Sequence, residues 1–376
     1  MRTRYDVIII GAGSMGLSAG YQLALSGVQT LLLDAGNPPH EEGSHHGETR
    51  LIRHAYGGAS AYVPLALRAR RLWEELERLS GETLLRPTGV LNVSREETAN
   101  HRSKIANAQR YGVPLEELDA AEIHRRWPGF SLPEGWSGLY EPDGGVLLSE
   151  TCLRVYRRLA LEAGAELLTD TPVRSVRLDG GEASVTTPAG TFTSGRLIVT
   201  AGAAAAGILP GGLLPVTAVR KTVAWFRAEG GLYRSPGFPG FTVHTGLGEY
   251  YGFPDFDGSG VKVGRHDEGI PLSPGEPKHP FGRTAADEEE LRAFMEAYLP
   301  RASGALLQGK VCLYERTPDE DFIIGRLPGH PHVSVAAGFS GHGFKFASVV
   351  GEILRDLTVD GRTSLDLTPF SPERFN

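Results

Sequence analysis

The sequence predicts a mixed α/β fold in which a parallel-sheet domain is assembled from separated stretches of chain, with a domain of antiparallel sheet inserted between them. Three observations predict it. "YDVIIIGAGSMG" (5–16) is a short apolar run that meets a glycine-rich turn, the pattern of a doubly buried strand feeding a helix. "HVSVAAGFSGHGFKFASVVGEILRDL" (332–357) repeats that order near the other end. Between them, 215–314 holds alternating runs such as "VTAVRKTVAWFRA" (216–228), as antiparallel strands do.

Element by element, 5–10 is the first strand and "SMGLSAGYQLALSG" (14–27) a helix stopped by Gly27. "VQTLLLD" (28–34) is the second strand, closing on Asp34. Residues 35–60 are polar and glycine-rich, too long for an idle loop. "YVPLALRARRLWEELERLSG" (62–81) has leucines and Trp73 at helical spacing before a glycine stop. From 82 to 147 the pattern is mixed, with strand-like "TGVLNVS" (88–94) and helical "AAEIHRRW" (120–127). A helix over 149–165 leads to a hairpin at "RLDGGEASVTT" (177–187) and a further buried strand, "GRLIVTAGA" (195–203). This reading places 1–85, 149–216 and 319–376 in the nucleotide-binding domain, and 86–148 and 217–318 in the substrate domain.

The chain has 376 residues, a length suited to two domains. Its net charge of −7 makes neither nucleic acid nor an anionic membrane a partner of the whole surface. The first apolar run is too short for a secretory h-region, and "LIVTAGAAAAGIL" (197–209) is too short to span a bilayer. Two cysteines, Cys152 and Cys312, exclude a disulfide framework and suit a reducing cytoplasm. Lysines number six against 32 arginines, so each lysine stands out.

Gly11, Gly13 and Gly16 satisfy G-x-G-x-x-G between strand and helix, with Asp34 ending the next strand. The glycines allow a tight turn, close approach of a pyrophosphate and close helix–strand packing, and the acid accepts ribose hydroxyls. The acid favours a free 2′-hydroxyl, hence FAD or NAD; geometry does not choose between them. The stretch "GSHHGETRLIRHAYG" (43–57) gathers His45, His46, Arg50, Arg53 and His54 around one acid, Glu48, as a site for anions would.

With "YVPLALRA" (62–69), "RWPG" (126–129), "YYGFP" (250–254), "CLYERTPDEDFII" (312–324) and "GFSGHGFKFAS" (338–348), that stretch is similar to the monomeric sarcosine oxidase and N-methyltryptophan oxidase family of flavoenzymes, over nearly the whole chain. The resemblance implies a D-amino-acid-oxidase-like fold, FAD, and oxidation of the C–N bond of N-methyl amino acids by oxygen. It implies a flavin held covalently through Cys312, whereas Cys152 reads as a buried small hydrophobe. His46 and Arg50 match a basic pair beside the flavin ring, where positive charge stabilises the anionic reduced flavin. Arg53 and Lys345 match the pair that grips the substrate carboxylate. Lys262 matches the lysine at which oxygen is activated; Tyr251, His266 and Tyr314 line the amine pocket. Cofactor contacts extend to Ser14, Ala35, Ser44, His45, Leu51, Val173, Gly341, Gly343 and Lys345, and His54 reads as a packing histidine. The helix after "SGHGF" would point its start at the pyrimidine edge of the flavin.

The expected reaction converts sarcosine, oxygen and water into glycine, formaldehyde and hydrogen peroxide, in a monomer with no metal. N-methyl-L-tryptophan or another bulkier N-methyl amino acid is the rival substrate. A non-catalytic FAD- or NAD-binding protein is a distant alternative, disfavoured by the joint presence of Cys312, Lys262, Arg53 and Lys345. Two positions depart from the family pattern: Gly58-Ala59-Ser60 replaces a stretch that begins with glutamate, and Gly325 stands where aspartate is usual.

Overall fold

The computed structural model describes residues 2–95, 98–209 and 213–375. Strand Arg4–Ile10 lies between Thr30–Leu33 and Gly190–Val199, parallel to both, and Glu166–Leu168 extends the sheet beyond Thr30–Leu33. The long strand Gly190–Val199 uses its other edge twice. Its first half pairs antiparallel with the hairpin Ser175–Asp179 and Glu182–Thr187, and its end pairs parallel with His330–Ala337. Strand Ile323–Leu327 completes this eight-stranded sheet.

Both faces are covered, as the apolar run of Arg4–Ile10 requires. Val7 and Ile9 pack under the helices Ser14–Leu25, Tyr62–Ser80, Ser149–Glu162 and Ala347–Val359. Ile8 and Ile10 face the hairpin and Leu209 on the other side. Parallel strands thus end together at one edge, where an α/β sheet binds its ligands.

The second sheet has nine strands, in the order Ile270–Leu272, Thr217–Phe226, Val261–Arg265, Gly248–Phe253, Gly240–Thr245, Val90–Ser94, Ser137–Glu141 and Glu116–Asp119, with Leu306–Arg316 on the free edge of Thr217–Phe226. It is antiparallel as expected except at one junction, where Gly240–Thr245 runs parallel to Val90–Ser94. Helix Ala286–Tyr298 covers one face through Leu291, Phe294 and Met295. The elements that escaped the sequence reading include this helix, helix Ala99–Tyr111, and strand Thr49–Ile52 inside the polar 35–60 segment, which pairs with Gly145–Leu148. That strand belongs to a small third sheet, and Lys262 from the second sheet reaches the segment at Gly47 and Thr49. Cys152 is sealed in the core beneath the first sheet, as expected.

Candidate active site

A cavity of about 790 Å³ opens at the carboxyl ends of the parallel strands and runs into the second sheet. At its first end, Gly11 has φ +95°, and a Cβ there would stand 2.5 Å from the carbonyl oxygen of Thr200. A Cβ on Gly16 would stand 1.9 Å from the carbonyl oxygen of Gly11, so the helix can begin this close to the strand only with glycine. Gly16 therefore shapes the turn without lining the cavity, whereas Gly11, Gly13 and Ser14 line it. The Asp34 carboxylate accepts from Ala12 N (2.7 Å), Gly36 N (2.9 Å) and His40 Nε2 (3.0 Å). Burial would raise its pKa, but these hydrogen bonds outweigh it and hold the group below the usual carboxylate range. Ala35 and Val173 continue this wall.

The middle of the cavity is built from the 43–57 segment. Arg50 donates to the carbonyls of Ser44 (2.8 Å), His46 (2.7 Å) and Thr49 (2.7 Å), and so ties the segment around its own guanidinium. Ser44, His45, His46 and Leu51 line the wall beside it. Burial and the Arg50 charge push His46 down to about 3, leaving a neutral ring. His45 is likewise pushed to about 3 by burial. Lys262, 2% exposed, donates to Gly47 O and to the carbonyl and hydroxyl of Thr49 (both 3.2 Å), beneath the rings of Phe253 and Trp225. Burial pushes its ammonium well below the usual lysine range. Cys312 lies in strand Leu306–Arg316 with its side chain at the cavity.

At the far end Tyr56 spaces two cations. Arg53 stacks over its ring (4.6 Å to the centroid), and Lys345 Nζ donates to its hydroxyl (2.8 Å) and to His342 O (2.7 Å). The turn that presents Arg53 is clamped from below. The fully buried Glu141 carboxylate accepts from His54 N (2.7 Å), Ala55 N (2.9 Å) and His54 Nδ1. His54 is thus a packing residue, as expected, and does not line the cavity. Opposite, His266 approaches the Tyr314 hydroxyl (Nδ1 to oxygen 3.4 Å), with Tyr251 adjacent. Burial pushes His266 down to about 4 and both phenols up. Lys221 fixes the backbone beside His266 by donating to the carbonyls of 266, 267 and 268. Gly341 and Gly343 close the wall ahead of a short turn, Phe344–Phe346, that carries Lys345, and the following helix starts only at Ala347.

Every site residue expected from the sequence except Gly16 therefore meets at one cavity. Of the lining residues that the sequence reading missed, Tyr56, His342 and Glu315 lie inside its motif strings and Lys104 lies outside them. Buried Glu315 is pushed up to about 7. The Gly325 departure has a packing cause: a Cβ there would stand 2.8 Å from the Pro372 ring.

The donor set suits an anionic, dinucleotide-sized occupant. Arg50, Arg53, Lys262 and Lys345 line the cavity, and none has an ion-pair partner among the described residues. No group of histidines, cysteines and carboxylates that could hold a metal occurs among the described residues. No described helix is long and apolar enough to cross a membrane.

A family profile described as "FAD dependent oxidoreductase" matches residues 6–357. A monomeric sarcosine oxidase of Bacillus sp. (strain B-0618) is 45% identical over 100% of this chain and 97% of its own. An N-methyl-L-tryptophan oxidase of Salmonella heidelberg (strain SL476) is 41% identical over 99% of this chain and 100% of its own. The structure of NikD, described as an unusual amino acid oxidase essential for nikkomycin biosynthesis, superposes with a TM-score of 0.84 at 25% identity, covering 99% of this chain and 98% of that one. L-proline dehydrogenase from P. horikoshii, at 22% identity, shares the fold with a TM-score of 0.88 over 100% of this chain and 98% of its own. The chain belongs to the FAD-dependent oxidoreductase family.

Proposed function

We propose that this protein is a monomeric, FAD-dependent oxidase of secondary N-methyl amino acids, with the flavin bonded to Cys312 and sarcosine among its substrates. The observation that carries the reading is the set of unpaired cations along one cavity that begins at Asp34 and passes Cys312. It accords with full-length relatives named as sarcosine and N-methyl-L-tryptophan oxidases. We also assign the first sheet and its helices to cofactor binding and the second sheet to substrate binding.

FAD held by Gly11, Gly13, Asp34 and Cys312 would supply the two-electron acceptor for a hydride equivalent from the N-methyl carbon and the means of reducing oxygen to hydrogen peroxide. The chain's residues do the rest. Arg53 offers its fork and Lys345 a point charge to the substrate carboxylate. Those same charges, with Lys221 nearby, disfavour a protonated amine, so the substrate nitrogen keeps its lone pair. Neutral His266 accepts a hydrogen bond from that nitrogen. Arg50 by its charge, and the neutral His46 ring only by an N–H it can donate, favour the negative charge that reduction adds to the ring system. Loss of the hydride from the neutral amine leaves an iminium cation, which water hydrolyses to formaldehyde and the amino acid.

Protein precipitated with acid is expected to stay yellow, with a flavin adduct on the peptide that contains Cys312 by mass spectrometry. A yellow supernatant over a colourless pellet overturns the covalent link.

The test of substrate is a peroxide assay across N-methyl amino acids of increasing side-chain size. Gly58 has φ +68°, and a Cβ there would meet nothing within 4 Å, so the rim of the cavity is open at this point. Turnover of sizeable side chains is therefore expected, beside weakly bound sarcosine with a KM near or above the common upper value of about 1 mM. Gly58→Glu is expected to shift kcat/KM toward sarcosine, at a stability cost of about 1 kcal/mol because the left-handed backbone disfavours a side chain. A parent enzyme that binds sarcosine tightly and rejects every larger substrate rules out the open rim.

A further inference from the structure

Lys104 is a buried cation that the chemistry above does not use. Helix Ala99–Tyr111, whose first turn is capped by Thr98 Oγ1 accepting from His101 N (3.1 Å), is fastened to the turn that follows Arg53. Asn100 packs so tightly on Gly57 that a Cβ there would stand 1.7 Å from Asn100 Oδ1. Asn107 Nδ2 donates to Tyr56 O (2.9 Å). Lys104 lies between these two residues on the same helix face, at spacings of four and three, and lines the cavity.

Its surroundings leave the ammonium unmatched. The side chain is 7% exposed and makes no hydrogen bond or ion pair among the described residues. The other five lysines are all engaged. Lys221, Lys262 and Lys345 reach backbone carbonyls, and Lys278 and Lys310 reach Glu41, Glu42 or Glu48. The carboxylates that act on Lys104 from a distance are committed elsewhere. Glu141 holds His54 and Ala55, and Glu249 pairs with His244 at 3.2 Å. Burial and Arg53 together push the lysine down to about 7. A buried ammonium without a counter-ion is costly, and an anion placed beside it removes that cost.

The α-carboxylate of a substrate already has Arg53 and Lys345. A second anionic group, carried on the substrate's side chain, would meet Lys104. We propose that Lys104 anchors the side-chain carboxylate of acidic N-methyl amino acids, making dicarboxylic substrates preferred over neutral ones of equal size. The inference rests on the oxidase reading above and names its substrate class. The open rim at Gly58 leaves room for such a side chain.

The experiment uses the holoenzyme and compares kcat/KM for N-methyl-L-glutamate with N-methyl-L-glutamine, and for N-methyl-L-aspartate with N-methyl-L-asparagine. Each pair differs by charge at nearly constant shape. At least one acid-to-amide ratio is expected to exceed about tenfold, to collapse to one or below in Lys104→Met, and to be largely kept in Lys104→Arg. Flavin content and melting temperature of the variants show that they are folded. Ratios near one in the parent, ratios unmoved by Lys104→Met, or oxidation of sarcosine with none of the four substrates turned over overturn the inference while leaving the oxidase reading intact. Absence of peroxide from every N-methyl amino acid defeats the oxidase reading instead. The lysine is then read by titrating flavin absorbance with glutarate and its monoamide, glutaramate. Glutarate about tenfold tighter in the parent but not in Lys104→Met supports the anchor, and equal affinities in the parent overturn it.

Discussion

Lys262→Met is expected to slow reoxidation of reduced flavin by oxygen by about a hundredfold or more, while anaerobic reduction by substrate changes little. The first electron delivered to oxygen produces an anion, and a fixed cation next to that event lowers its energy. Removing one preorganised charge or donor commonly costs about 10²–10³ in rate. Lys262 is suited to this because its three oxygen contacts and two aromatic faces hold it in place before any charge develops. Methionine keeps the length and apolar body of the side chain, so the packing against Phe253 and Trp225 survives. Because burial and Arg50 depress the lysine's pKa, its charge is lost at lower pH than for an ordinary lysine. The oxygen step of the parent should therefore weaken as pH rises through that depressed value, and the variant should show no such trend. Stopped-flow traces of the two half-reactions decide the matter. Equal slowing of both would make Lys262 a structural or shared residue.

The parts of this site legible in the sequence are those whose chemistry is local. Gly11, Gly13 and Gly16 sit within one turn, and Asp34 ends the strand beside it, so spacing alone conveys their geometry. Arg50 closes on carbonyls within six residues of itself, which is why 43–57 reads as one unit. Strand Thr49–Ile52 inside that unit did not read as a strand, because two of its four residues are half-exposed and its partner lies near residue 147.

Helix Ala99–Tyr111 was illegible for a chemical reason. The face it buries carries His101, Lys104 and Asn107 with only Ala108 apolar, so no hydrophobic period marks it. Helix Ala286–Tyr298 shows the contrary case: Leu291, Phe294 and Met295 recur at helical spacing after an acidic first turn, but the surrounding strands masked it. The clamp of Glu141 on His54 joins residues 87 apart, and the contact of Gly325 with Pro372 joins two more distant in sequence than any turn. Pairings of that kind leave no signal in a single sequence.

Arg53→Ala is expected to raise KM for an N-methyl amino acid by more than about twentyfold, with a smaller change in the rate of flavin reduction at saturation. A carboxylate buried in this cavity would lose one arm of a charge-assisted pair, and breaking such a pair costs about 2–5 kcal/mol. At about 1.4 kcal/mol per factor of ten, the lower bound already exceeds twentyfold. The loss should fall on binding because Arg53 holds a part of the substrate that does not change charge during the reaction. Lys345 limits the damage: it is held at the Tyr56 hydroxyl and keeps one positive charge within the site. Arg53→Lys should be intermediate, restoring charge without the two-pronged geometry. The clamp of Glu141 on residues 54 and 55 does not involve the guanidinium, so both variants should fold and retain flavin. A carboxylate inhibitor that does not react gives the same answer without turnover, through its Kd from flavin absorbance. Unchanged KM together with unchanged inhibitor Kd in Arg53→Ala would place the substrate carboxylate away from Arg53 and leave Lys345 as its holder.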